Sequence, residues 1–291
     1  MIMNRKSFLK KSILGFSLIG VSKMLPSYLD KNPKIKNLIG FNHLPNPKSQ
    51  VMKNAIYHAA NTRGGADHGW LKANHSFSFA NYYNPERMQF GALRVLNDDY
   101  IIGGAGFGTH PHDNMEIITI PLEGDLEHKD NMGNQGVIAS GEVQVMSAGT
   151  GIYHSEYNHN KDKHAKLLQI WVFPNQNNVK PRYEQMKFDM SKAKNNWMQL
   201  VSPNADDDGL WIHQNAWFSL TELDQNSSLA YQVKSKTNGV YVFVIEGSAK
   251  IGDQILNERD GYGIWDISNF ELKANSDKAK VLVMDVPYKD A

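Results

Sequence analysis

The sequence predicts an all-β protein folded as two β-barrels, on three observations. Short runs rich in β-branched and aromatic residues recur between Gly, Asn and Asp from about residue 90 onward. Long amphipathic helical periods are scarce. A segment of the first half is echoed in the second. The clearest strand-like runs are 90–96, 115–122, 143–146, 167–173, 241–245 and 280–286, in a stretch repeatedly broken by Gly, Asn and Asp. The best short helical candidate is 190–197.

The echo is Ile120-Pro121-Leu122-Glu123-Gly124 against Val244-Ile245-Glu246-Gly247. Each copy is followed by a charged hairpin and a second glycine, Gly141 and Gly261. A duplicated barrel accounts for this, with its boundary in the Asn-, Gln- and Pro-rich stretch near 175–190. The expected organisation is an export leader at 1–25, a linker at 26–54, a metal-binding barrel at 55–180 and a second barrel without metal ligands at 181–291.

At 291 residues the chain is long enough for two cores. Its net charge is +1 with acids and bases intermixed, so nothing marks a nucleic-acid surface. It has no cysteine, so disulfides and thiol chemistry are excluded. Metal or nucleophilic chemistry must use His, carboxylates or hydroxyls.

The N-terminus carries Arg5, Lys6, Lys10 and Lys11, then an uncharged and mostly apolar run at 12–22. That run is too short to span a membrane and suits a signal peptide. Arg5-Lys6-Ser7-Phe8-Leu9-Lys10 is similar to a twin-arginine export signal with one arginine replaced, which makes a periplasmic location the expectation. The alternative is an amphipathic leader on a cytoplasmic protein.

The chemistry concentrates in His110-Pro111-His112 and His154-Ser155-Glu156. Residues i and i+2 of a strand share a face, so each pair can present two side chains to one point. Three imidazoles and a carboxylate form a site for a divalent metal with positions left open, the layout of non-haem iron oxygenases. Glycines at 103, 104, 106 and 108, and at 149 and 151, let the backbone turn tightly beside the pairs. The first run opens into a β-like stretch rather than a helix, which argues against a dinucleotide fingerprint. Offsets counted from Gly247 and Gly261 land on Val233, Ser235, Ala274 and Ser276, so the second copy shows no ligands. Asp206-Asp207-Asp208-Gly209 reads as a solvated turn rather than a calcium site.

At these residues the chain resembles the pirin family of bicupins, most closely its bacterial branch with quercetin 2,3-dioxygenase activity. The first cupin motif reads as Gly104, His110, His112 and Glu116, and the second as the stretch from Ala148 to Glu156. The hairpin from Glu127 to Asn134, and the stretches 63–70 and 75–83, are similar to the family's as well.

The resemblance implies a bicupin whose metal, usually Fe(II) but open to Mn, Ni, Co or Cu, is held by His110, His112, His154 and Glu156. It also implies that Glu116 lies behind the ligands, where it could orient an imidazole, the alternative being a salt-bridged core carboxylate. The implied substrates are O2 and a quercetin-like flavonol, cleaved with loss of carbon monoxide, with Glu156 as ligand and proton acceptor. Two alternatives remain: a non-catalytic, iron-binding redox regulator that contacts a protein partner, and a cupin enzyme acting on another small molecule. On sequence, His128, His159 and His164 belong to solvated hairpins or loops, and His68 and His75 to the mouth of the cavity.

Overall fold

The computed structural model describes residues 52–289. The expected leader, and the expected linker as far as residue 51, lie outside the described residues. In chain order the first strands are β1 (Ala55–His58), β2 (Gly64–Asp67), β3 (Leu71–His75), β4 (Leu93–Ile101), β5 (Gly106–His112) and β6 (Glu116–Glu123). They are followed by β7 (Asp125–Asp130), β8 (Gln135–Ala139), β9 (Glu142–Ser147), β10 (Ile152–Asn158), β11 (Ala165–Val172) and β12 (Arg182–Lys187). The chain continues with β13 (Met198–Ser202), β14 (Leu210–Trp211), β15 (Trp217–Asp224) and β16 (Ser228–Gln232). It closes with β17 (Asn238–Ile251), β18 (Gln254–Leu256), β19 (Gly261–Ile264) and β20 (Asn269–Pro287).

The first half is a seven-stranded sheet, β12-β9-β6-β11-β4-β3-β2, covered by the four-stranded sheet β5-β10-β7-β8. The second half is a nine-stranded sheet along β1-β19-β17-β20-β15-β13-β14, with β16 on β20 and β18 on β17. This is the two-barrel, all-β architecture that the strand pattern predicts.

Two segments cross between the halves. β1 pairs with β19 of the second sheet, and β12 pairs with β9 of the first, so pairing corrects the sequence boundaries at residues 55 and 181. An exposed sheet edge demands a partner for its N–H and C=O groups, and each barrel takes one from the flanking chain.

The repeat is real in backbone terms. Gly124 ends β6, Gly247 bends β17, and both sit at φ +75°. A Cβ at Gly124 would meet the His164 carbonyl, and one at Gly247 would meet the Lys278 carbonyl. Gly124 lets the chain pass from β6 of one sheet to β7 of the other, and Gly247 stands at a register shift of β17 against β20, each at a point of close backbone approach.

Offset counting is not in register. The Val233 N–H bonds the Ser268 carbonyl and the Ala274 N–H bonds the Ser227 carbonyl, whereas His110 and His154 stand directly opposite each other. Loops of different length lie between the counted points, and one residue of slip moves a side chain to the other face. Val233 and Ala274 are both buried in an apolar cluster with Tyr231, Phe270 and Leu272.

The residues at 190–197 form only a 3-10 turn, Met190–Ala193, not an α-helix. Asp189 caps it by accepting from the Ser191 N–H, and Asn195 at φ +50° stops continuation.

β6 is buried on both faces, and this places the site. Ile118 and Ile120 enter a core shared with Leu200, Phe218, Tyr241, Phe243 and Leu282 of the second half. Ile117 and Thr119 point the other way, into the first barrel. Cutting a buried Leu or Ile of the shared core to Ala costs about 2–5 kcal/mol.

Candidate metal centre

The site lies on the four-stranded sheet. β5 and β10 run antiparallel with His112 opposite Ile152 and His110 opposite His154. The register shifts between His154 and Glu156, and both side chains are buried on the inward face while Ser155 is only half-buried. A methyl at Gly106 would strike the Glu156 carbonyl and Tyr157, so this glycine lets β5 lie close to β10.

The structure brings His110, His112 and His154 together, with one ligand atom from each within 4.8 Å of the others. His110 and His112 are half-buried, whereas His154 is buried. Glu156 enters a second, fully buried group with His128 and His154 at the same spacing, so His154 is common to both. The His110 and His154 ring centroids are 4.4 Å apart, and each is 4.8 Å from that of His112.

Burial, reinforced by the neighbouring His110, His112 and His128, lowers the His154 pKa to about 2. Burial and His110 lower that of His112 to about 4. Neutral imidazoles with free lone pairs are what a metal requires.

Glu156 is pushed upward by burial, opposed by Gln169, by His110 and by Thr119. Gln169 Nε2 donates to Glu156 Oε2 at 2.9 Å and to Oε1 at 3.2 Å. The Thr119 hydroxyl lies 3.0 Å from Gln169 Oε1 and 3.4 Å from Glu156 Oε1.

These residues fit a divalent metal. His110 Nδ1 sits 2.8 Å from the Gly108 carbonyl, an acceptor only, so the proton is on Nδ1 and Nε2 is free to ligate. His154 Nε2 is buried with no hydrogen-bond partner. A buried nitrogen of this kind is costly unless something coordinates it.

Glu116 does not take the orienting place expected for it. It is buried, accepts from the Ser147 hydroxyl at 2.7 Å, and interacts with Arg182 and the His213 backbone. Thr119, three residues on, faces the site, so Glu116 points to the opposite side of β6. Burial pushes its carboxyl up to about 7, against Ser147, His213 and Arg182. Arg182 also lies over the Trp211 ring, 3.9 Å from its centroid.

His128 corrects another expectation. It is fully buried, stacked on Tyr183 with centroids 4.4 Å apart, and its Nδ1 lies 3.4 Å from His154 Nδ1. The charged residues around it suggested solvent, but strand alternation buries His128 and Asp130 while Lys129 faces out. Period-2 reading of Glu127-His128-Lys129-Asp130 contained that signal. His75 is likewise buried, 2.8 Å from Asn97 Oδ1, while His68 is exposed. His159 pairs with Glu127 and His164 with Glu123 at the surface. Asp206, Asp207 and Asp208 sit in an exposed turn. Gln169 and Thr119 carried no sequence signal, because only packing of the two sheets brings them to Glu156.

A histidine cluster inside the first of two double-stranded barrels defines a bicupin with a candidate metal centre. The Pirin family model matches residues 57–172, and the model described as the quercetinase C-terminal cupin domain matches 199–286. The chain is 46% identical over 229 residues to quercetin 2,3-dioxygenase of Escherichia coli strain K12, covering 78% of this chain and 96% of that protein. It is 41% identical to a pirin-like protein of Caulobacter vibrioides over 76% of this chain and 94% of that one. The crystal structure of the bacterial pirin YhhW from Escherichia coli in complex with nickel(II) superposes with a TM-score of 0.76. That match has 43% identity and covers 80% of this chain and 99% of the other. The chain belongs to the pirin family.

Proposed function

We propose that the protein is a metal-dependent dioxygenase that cleaves quercetin-like flavonols with O2 and releases carbon monoxide. The observation that carries the reading is the trio of imidazoles from β5 and β10, one with a buried and unpartnered nitrogen, beside a buried carboxylate. Relatives named quercetin 2,3-dioxygenase support the substrate.

His110, His112, His154 and Glu156 would hold the ion. Fe(II) is the proposed metal, with Ni, Co, Mn and Cu as alternatives that the same donor set accepts. When bound, the metal would chelate the 3-hydroxy-4-keto edge of a flavonol, lower the hydroxyl pKa and favour electron transfer to O2.

The chain's own residues supply the rest. Burial raises the proton affinity of Glu156, which suits it to accept the flavonol hydroxyl proton as well as to ligate. Gln169 and Thr119 orient that carboxylate. His110 and His112, half-buried, form the side that substrate approaches, and Phe107 and Trp171 stand edge-on to their rings. A planar aromatic substrate suits such walls.

The test is metal analysis combined with O2 uptake and carbon monoxide release on quercetin. One equivalent of metal with turnover is expected, and His110→Ala or Glu156→Ala should lose metal, turnover or both. Unchanged turnover with unchanged metal content in these variants would overturn the assignment. Metal without turnover in the wild type would move the reading to a sensor or to another substrate.

A further inference from the structure

His128 and Asp130 lie outside the four proposed ligands, yet they form a buried chain that ends on one of them. Asp130 accepts from the Met132 and Asn134 backbone N–H groups, both at 2.9 Å, and from Asn134 Nδ2 at 2.8 Å. Its Oδ2 lies 3.4 Å from His128 Nε2. A carboxylate engaged by so many donors acts as an acceptor, so His128 carries its proton on Nε2. His128 Nδ1 then presents a lone pair to His154 Nδ1, 3.4 Å away. That contact is a hydrogen bond only if His154 is protonated on Nδ1. This tautomer leaves the lone pair on Nε2, the atom that has no partner.

We propose that His128 is a positioning residue that selects the metal-binding tautomer of His154, with Asp130 selecting that of His128. The proposal rests on the reading of His154 as a ligand. It extends that reading by explaining why a fully buried histidine and aspartate share one face of β7, the strand on which Asp130 stands opposite His154. A donor set whose imidazoles are already in the ligating tautomer binds without first moving a proton.

Nitrogen NMR of the histidine side chains in the metal-free, full-length protein is the direct test. It should find the His154 proton on Nδ1 and the His128 proton on Nε2. A wild-type His154 protonated on Nε2 would overturn the proposal, and this measurement decides even if a variant fails to fold. Ni(II) titration is the second readout. His128→Phe keeps a ring against Tyr183 but offers no acceptor, and it should weaken Ni(II) binding about 10–100-fold and give mixed His154 tautomers. His128→Asn retains an acceptor near the Nδ1 position and should restore binding close to wild type. Wild-type affinity in His128→Phe would overturn the positioning role alone, provided that His154→Ala still abolishes binding. Retention of Ni(II) by His154→Ala would instead sink the ligand reading.

Discussion

Gln169 on β11 donates from one amide nitrogen to both carboxylate oxygens of Glu156 on β10, which ties the two sheets of the first barrel together at the site. Those bonds favour the ionised carboxylate against the burial that opposes it. Gln169→Leu removes them at little cost in volume. It should lower metal affinity about 10–100-fold at neutral pH, with part of the loss recovered as pH rises and Glu156 ionises. Calorimetric metal titrations at several pH values check this, and a pH-independent affinity equal to wild type would contradict it.

Glu116 should impose a pH dependence on stability that is independent of the metal. Its carboxyl titrates at about 7 in the folded protein, against an ordinary 4.5. Between those values the native state binds more protons than the unfolded state, so stability falls as pH rises. The contribution is fully present below about 4.5 and is lost through about 7, with a slope of no more than ~1.4 kcal/mol per pH unit. Glu116→Gln should therefore gain on wild type as pH rises through this window. A stability difference that stays constant across it, measured by urea unfolding, would argue against the assignment.

Gly247→Ala should destabilise the second barrel by about 1–3 kcal/mol, because the methyl group meets the Lys278 carbonyl at a positive φ. The corresponding Gly124→Ala should behave alike against the His164 carbonyl. Thermal unfolding of both variants tests whether the two repeated glycines do the same backbone work. Neither lies in the metal centre, so metal content per folded molecule should be unchanged.

Trp171 packs edge-on to His112, with centroids 4.9 Å apart, and should report on the site. Binding of Ni(II) or Co(II) should quench tryptophan fluorescence, and Trp171→Phe should remove most of the response while leaving binding intact. Metal at a hundred times its Kd should also stabilise the folded state by about 2.7 kcal/mol. A chelator should reverse both effects, and His154→Ala should abolish them. Quenching of equal size in Trp171→Phe would place the metal elsewhere.

The all-β class, the repeated Glu-Gly and the two pairs proposed as ligands, His110 with His112 and His154 with Glu156, are legible in the order of residues. These are short-range properties: turn residues every few positions, a repeated Glu-Gly, and two pairs of side chains at i and i+2. Such signals are written into one strand at a time, so no knowledge of partners is needed to read them. Which residues stand behind those pairs depends on how the strands pack. His128 and Asp130 come to His154 because β7 pairs with β10, and Gln169 and Thr119 reach Glu156 because β11 and β6 pack across the barrel. Glu116, though close in sequence to His112, was carried to the other face of β6 by the alternation of the pleat. Strand pairing across the halves was equally hidden, since an edge takes whichever partner the fold brings to it.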